Sequence, residues 1–237
     1  MLVTDVLQAA PGVRVIATSR EPLSVPGEHV LPIPPFELPR AQADESLDQL
    51  RQNDQATGKR ILDVFSVHYY PQGGEFGNDT STSMQQLRNK STRALWDPNY
   101  TDPTWINDEV MLIPRMKAWV NSHYPGLKIA ITEYNWGAEG HINGATAQAD
   151  IYGIFGREGL DYAARWTTPD AATPTYKAMK MFRNYDGNRS AFGDVSVRAL
   201  ATANPDNLSV FAAERSTDGA LIWNSIFQSL RDRLTPA

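Results

Sequence analysis

The sequence predicts an α/β protein, with parallel strand–helix units through its middle and a β-rich segment after them. Three observations lead there. Between 61 and 187, short apolar runs alternate three times with stretches whose apolar residues recur at spacings of three and four, the pattern of βα units. After 190 the helical period gives way to apolar runs separated by turn signals, the pattern of a β-meander. The three middle runs also end alike, in His68-Tyr69-Tyr70, Glu133-Tyr134-Asn135-Trp136 and Arg165-Trp166, so a parallel sheet would deliver all three clusters to one rim.

The elements follow in order. VRVIATS (13–19) is a short β-like run, and the prolines at 22, 26, 32, 34, 35 and 39 then forbid helix and leave an extended path. Residues 41–60 are polar and helix-permissive, and ILDVFSVHYY (61–70) reads as a buried strand. A long loop rich in Gly, Asn, Ser and Thr comes next. Asp102-Pro103 has the form of an N-cap with proline at the first helical position. Ile106, Val110, Ile113, Met116 and Val120 would line one face of that helix, with Pro114 bending or dividing it. LKIAITE (127–133) is the next strand, 145–158 a helix closed by Gly159, DYAARWTTP (161–169) a third strand and PTYKAMKMFRNYDG (174–187) a third helix. SVRALATA (196–203) and SVFAAERS (209–216) follow as strands, then a hairpin turn at Asp218-Gly219. The last stretch, LIWNSIFQSLRDRLTPA, begins like a strand and continues like an amphipathic helix.

Composition narrows the function classes. With 237 residues, 41% hydrophobic, the chain can bury one sizeable core or two modest ones. Its 22 Lys+Arg against 27 Asp+Glu give a net charge of −5, which argues against a nucleic-acid partner. No apolar stretch approaches the ~20 residues of a membrane span. The absence of cysteine excludes disulfides and thiolate metal sites. The N-terminus lacks a basic start and an apolar core, so no secretory signal is read and the chain as written is expected to be cytoplasmic.

Glu133 ends an apolar run, and strict alternation along 127–133 puts it on the face of Leu127, Ile129 and Ile131. Such a carboxylate serves either chemistry or a cap and ion pair. The aromatics around it, and around the other two strand ends, favour a carbohydrate: sugars bind by stacking of C–H faces on rings and by hydrogen bonds to hydroxyls. Gly73, Gly74, Glu75, Gly77, Asn78 and Asp79 read either as a plain loop or as oxygen donors folded round a hard cation.

Five motifs, HYYPQGGEFGNDTST, LWDPNYTDPTWIND, ITEYNWGAEGHINGATAQAD, FGREGLDYAARWTTPD and PTYKAMKMFRNYDG, together resemble glycoside hydrolase family 44, from about Ser46 to Leu221. The resemblance implies an endo-β-1,4-glucanase or xyloglucanase built on a (β/α)8 barrel of the TIM type with an attached β-sandwich. It implies that this chain holds barrel strands six to eight, and that Glu133 is the retaining nucleophile on strand seven. By the same carry-over, His68 and Tyr70 match the H-x-Y pattern beside the nucleophile, and Trp166 the aromatic under the sugar. Trp96 and Trp105 match subsite aromatics, and Tyr134 and Trp136 flank the nucleophile. The partner is a β-1,4-glucan; no cofactor is required, and calcium can serve this family as a structural ion. The family is typically secreted.

Its acid/base comes from an Asn-Glu pair, and no Asn-Glu dipeptide occurs in this sequence. Glu139, Glu75 and Asp79 lie near the rim but on loops the family does not use for that role. Residues 1–40, with APGVRVIATSREPL and Arg20, resemble instead the AfsR/LuxR-type STAND regulatory NTPases, though no GxxxxGK[ST] loop is present. The expected organisation is therefore an NTPase-like, proline-rich segment at 1–45, a partial glycosidase barrel at 46–189 and a β-sandwich remnant at 190–237. The alternative expectation is a truncated or chimeric fragment that binds glucan weakly without turnover.

Overall fold

The computed structural model describes residues 41–227. The expectations for 1–40 (the β-like run, the proline-rich path and Arg20) and for the tail after 227 lie outside the described residues. The chain divides into a unit Met1–Gln42 and a unit Ala43–Ala237, and the second holds every element below except the first two residues of the first helix.

The described elements run α1 (Ala41–Thr57), β1 (Val64–Tyr69), α2 (Thr82–Ser91), a 3₁₀ turn (Thr92–Leu95), α3 (Leu112–His123), β2 (Lys128–Tyr134), α4 (Ile142–Glu158), β3 (Tyr162–Ala163), α5 (Pro174–Arg183), β4 (Val195–Val197), β5 (Leu208–Arg215) and β6 (Ala220–Phe227). They form two small sheets: β1-β2-β3, parallel, and β4-β5-β6, antiparallel. The first core gathers Ile129 and Ile131 of β2, Ile113 and Met116 of α3, and Ile151 and Ile154 of α4. Each such side chain contributes about 1.5–3 kcal/mol on burial. The antiparallel sheet meets α4 where Phe211 lies against Gly153, at which a Cβ would fall 2.1 Å from the ring.

Several elements differ from their sequence expectation, each for a local reason. No helix starts at Pro103. Asp102 Oδ1 instead accepts the Thr104 N–H and hydroxyl, while the Asp102 N–H donates to the Asp108 carbonyl. An aspartate that satisfies neighbouring backbone in this way competes with helix. The helix begins at Leu112, after Met111 in the left-handed region at φ 44°. Pro114 thus falls in its first turn, where the missing N–H has no intrahelical partner to lose, and neither bends nor divides it. Helix α2 lies in the stretch expected to be loop. Its buried residues are Arg88, Asn89 and Ser91, so it carries no apolar period to find. The third strand shrinks to Tyr162–Ala163, because beyond it the carbonyls of Trp166 and Thr167 are taken by side chains. Strand β4 is likewise shorter than 196–203, and α5 stops at Arg183, short of residue 187.

The register between β1 and β2 matters most. Val67 pairs with Ile131, but the next residue, His68, pairs with Glu133. Thr132 is therefore an extra residue on β2, a β-bulge, and bulges re-aim the side chains that follow them. Without it Glu133 would pair with Tyr69, whose side chain is buried with the core. With it, Glu133 takes the face of His68. The carboxylate therefore does not share a face with Ile129 and Ile131, contrary to the alternation expected for a regular strand.

Candidate active site

The C-terminal ends of β1 and β2 bring Glu133, His68 and Tyr70 together. The Tyr70 hydroxyl donates to Glu133 Oε2 at 3.2 Å, and His68 Nδ1 lies 3.4 Å from the same oxygen. Oε1 has no protein partner among the described residues. The Glu133 side chain is 29% exposed and that of His68 46%. One oxygen is thus anchored and the other is available, the arrangement a nucleophilic carboxylate needs. Burial and the Glu133 hydrogen bond push the Tyr70 phenol up to about 12, so it stays a donor across the ordinary pH range.

Two aromatics expected at the rim are exposed. Trp105 is 80% exposed and its indole N–H donates to Gln72 Oε1, while Gln72 donates to the Tyr70 carbonyl. That chain of contacts ties the Trp105 turn to the end of β1. Trp166 is 54% exposed, and its N–H donates to the Tyr134 carbonyl, beside Glu133.

The other three are placed differently. Tyr134 and Trp136 are almost fully buried. Tyr134 packs edge-on against Phe155 and its hydroxyl accepts from Gln148, and burial raises its phenol well above the usual range. Trp136 lies against Tyr69 and donates to Ser91 Oγ. Both support the strand end from beneath and offer no ring face to a ligand. Trp96 is covered by the Arg157 guanidinium, 4.2 Å from its ring centroid, and belongs to the packing around α4.

The carboxylates considered as substitutes for the missing partner each have structural work. Glu139 Oε1 pairs with Arg165 at 2.8 Å. Glu75 is buried and accepts the Gly73 N–H. Asp79 accepts the Ser81 N–H and hydroxyl, which hold its pKa below the usual carboxylate value. The glycine-rich loop likewise surrounds a side chain: the carbonyls of Glu75, Gly77 and Asp79 all accept from Arg88. Among the described residues no group of three or more His, Asp and Glu could hold a metal ion.

Two residues that organise the rim were given no role in the sequence reading. Arg88, fully buried on α2, joins the loop after β1 to the loop after β2 by also donating to the Trp136 carbonyl and Asn143 Oδ1. The two loops touch closely enough that Gly137, at φ 66°, has no room for a Cβ against Phe76 and Gly77. Arg165, just after β3, contacts Asn135, Gln148, Thr167 and Glu139. Neither carries a local sequence signal that sets it apart: Arg88 is followed closely by Lys90 and Arg93, and Arg165 stands alone in AARWTTP.

Comparison with known proteins points one way. The model of glycoside hydrolase family 44 matches residues 41–73. Endoglucanase A of Paenibacillus lautus is 42% identical over an alignment of 180 residues that covers 72% of this chain and 26% of that protein. The crystal structure of CelM2, a bifunctional glucanase-xylanase from a metagenome library, superposes with a TM-score of 0.78 at 72% identity, covering 80% of this chain and 36% of that one. A Paenibacillus polymyxa xyloglucanase of the same family, solved with xyloglucan, superposes with a TM-score of 0.72 at 36% identity, over 80% and 39% of the respective chains. The chain thus spans about a quarter of the curated relative's length and over a third of each of these structures, and over that span it is a mixed α/β fold similar to part of a family 44 glycoside hydrolase.

Proposed function

We propose that this chain carries the nucleophile-bearing part of a retaining endo-β-1,4-glucanase, with Glu133 as the nucleophile and cellulose- or xyloglucan-type chains as substrate. The observation that carries it is the Glu133 carboxylate itself: Oε2 engaged by Tyr70 and His68, Oε1 unengaged among the described residues, at the end of a parallel strand. In the proposed step Oε1 attacks the anomeric carbon, the glycosidic C–O bond breaks, and the leaving oxygen takes a proton from an acid/base group. Water then cleaves the glycosyl ester and returns a proton to that group. No cofactor takes part. Trp166 and Trp105 would stack on sugar rings, and His68 and Tyr70 would orient the nucleophile. Strands β1 to β3 would correspond to barrel strands six to eight within residues 46–189, and 190–237 to part of the sandwich. The names of the relatives, endoglucanase and xyloglucanase, support the substrate class.

A second reading, glucan binding without turnover, is favoured by one observation: Glu139, Glu75 and Asp79 are all engaged elsewhere. A fluorinated cellobioside trap with an activated leaving group separates the two, because such a leaving group departs without acid assistance. Labelling at Glu133, lost in Glu133→Gln, supports the nucleophile, and labelling elsewhere refutes it. Release of reducing sugar from carboxymethylcellulose or xyloglucan, abolished by the same substitution, would overturn the binding-only reading.

A further inference from the structure

We infer that Arg165 is the positioning residue of this site: it touches no substrate but fixes Trp166 in orientation beside Glu133. The inference rests on the glucan reading above for its purpose and on geometry for its mechanics. The Arg165 side chain is only 4% exposed, although its neighbours on the turn after β3, Ala164, Trp166 and Thr167, are exposed. Its guanidinium is shared among three elements. Nη2 donates to Asn135 Oδ1 at 2.8 Å, two residues past Glu133 on the chain leaving β2. Nε donates to Gln148 Oε1 on α4 at 3.1 Å, and Gln148 in turn donates to the hydroxyl of Tyr134, the neighbour of Glu133. Nη1 faces the Trp166 and Thr167 carbonyls, the Thr167 hydroxyl and Glu139.

Thr167 shows what this arrangement holds. It sits at φ 65°, a left-handed conformation that a β-branched residue avoids and that persists only when its surroundings impose it. The imposing groups are Arg165 on its carbonyl and Glu139 on its hydroxyl. That turn leaves Trp166 half exposed, while Asn135 Nδ2 holds the Trp166 carbonyl from the β2 side. The strand end carrying Glu133 and the turn carrying Trp166 therefore meet at one planar fork. Arginine suits this because its five donors are rigidly arrayed; lysine could restore the charge opposite Glu139 but not the simultaneous contacts.

The test uses the whole chain labelled with fluorotryptophan, which gives six tryptophan positions to follow by fluorine NMR, with the Trp166 line assigned through Trp166→Phe. In Arg165→Met the Trp166 line should shift or broaden while those of buried Trp136 and distant Trp119 stay in place, and Arg165→Lys should not restore it. Cellotetraose affinity, read from the other tryptophan lines, should weaken by roughly three- to tenfold, the range an aromatic contact of this kind spans. An unchanged Trp166 line in Arg165→Met, or full rescue by lysine, overturns the inference. Should Arg165→Met fail to fold, Asn135→Ala removes the contact from the β2 side, and the same displacement of the Trp166 line supports the inference while its absence overturns it. If wild-type lines ignore cellotetraose, the glucan reading fails on its own, and the Trp166 line in the variants still decides the positioning role.

Discussion

Arg88→Met should be among the most damaging single changes on the active-site side of the fold, and its cost can be worked from the contacts. The side chain is fully buried and donates to the carbonyls of Glu75 at 2.9 Å, Trp136 at 2.7 Å, Asp79 at 2.9 Å and Gly77 at 3.3 Å, and to Asn143 Oδ1 at 2.6 Å. Methionine fills similar volume and donates nothing. Gly77 keeps a partner, since its carbonyl also accepts from Ala138; the other acceptors lose this donor. Asp79 is an exposed residue whose carbonyl water can serve, which leaves three buried acceptors; at about 1 kcal/mol for each left unsatisfied, the loss is roughly 3 kcal/mol, at the lower end of the 3–5 kcal/mol typical of breaking a buried charged network. Buried Glu75 also loses the attraction of the Arg88 charge. Urea unfolding followed by circular dichroism should show a loss of this size, with a melting point lower by roughly 6–12 °C for a chain of this length. Arg88→Lys should fall between, because an ammonium cannot span all these acceptors at once. A loss below about 1 kcal/mol for the methionine variant would refute the idea that this guanidinium holds the two loops together.

Other outcomes follow from single features. Tyr70 is raised from 10.0 to about 12, so its contribution to stability is complete below the unfolded value and is lost as pH rises through the folded one. The difference in phenolate absorbance between wild type and Tyr70→Phe should show a step near pH 12 that moves down in Glu133→Gln; a step near 10 in wild type would contradict the contact. Asp186, Asp194 and Asp218 are held below their ordinary 3.8 by hydrogen bonds from Ser190, Ser216 and Arg215 respectively. Their contribution is present above that value and disappears as pH falls through the lower folded ones, so stability should drop on acidification past about pH 4 and drop less steeply in Asp194→Asn. Gly153→Ala sets a helix-propensity gain of about 1 kcal/mol against overpacking into Phe211 of about 1–3 kcal/mol. A net loss in the urea midpoint is expected, and a gain would mean that the antiparallel sheet does not pack there.

What the sequence made legible was the part governed by apolar period. The runs 61–70 and 127–133 became β1 and β2, and the stop at Gly159 holds as an αL cap at φ 65°. The hairpin turn read at Asp218-Gly219 likewise joins the antiparallel pair β5 and β6. Elements whose inward face is polar were not legible. Helix α2 buries Arg88 and Asn89, and Asp102 closes a turn where a helix start was expected. The same limit applied to the site. A carboxylate at a strand end can be read from order, and so can nearby aromatics. Which aromatics stand outward depends on packing: Trp166 and Trp136 look alike in sequence, yet one is half exposed and the other buried. Arg165 acts through contacts separated by 17 to 30 residues, which no local pattern reports.

The extra residue at Thr132 divides β2 into two halves written in opposite phase. Up to Ile131 the odd positions belong to the packed side; from Glu133 onward an odd position belongs to the chemical side. Substitutions that make the strand more regular would therefore oppose the site even as they improve the ladder. Drawing Thr132 into the ladder would move Glu133 opposite Tyr69, turning the carboxylate toward the packed side and Tyr134 out of it. Deleting Thr132 would instead keep Glu133 opposite His68 and Tyr134 opposite Tyr69. Past the threonine the carboxylate and the buried tyrosine keep one phase, so a slip in register costs chemistry and packing together.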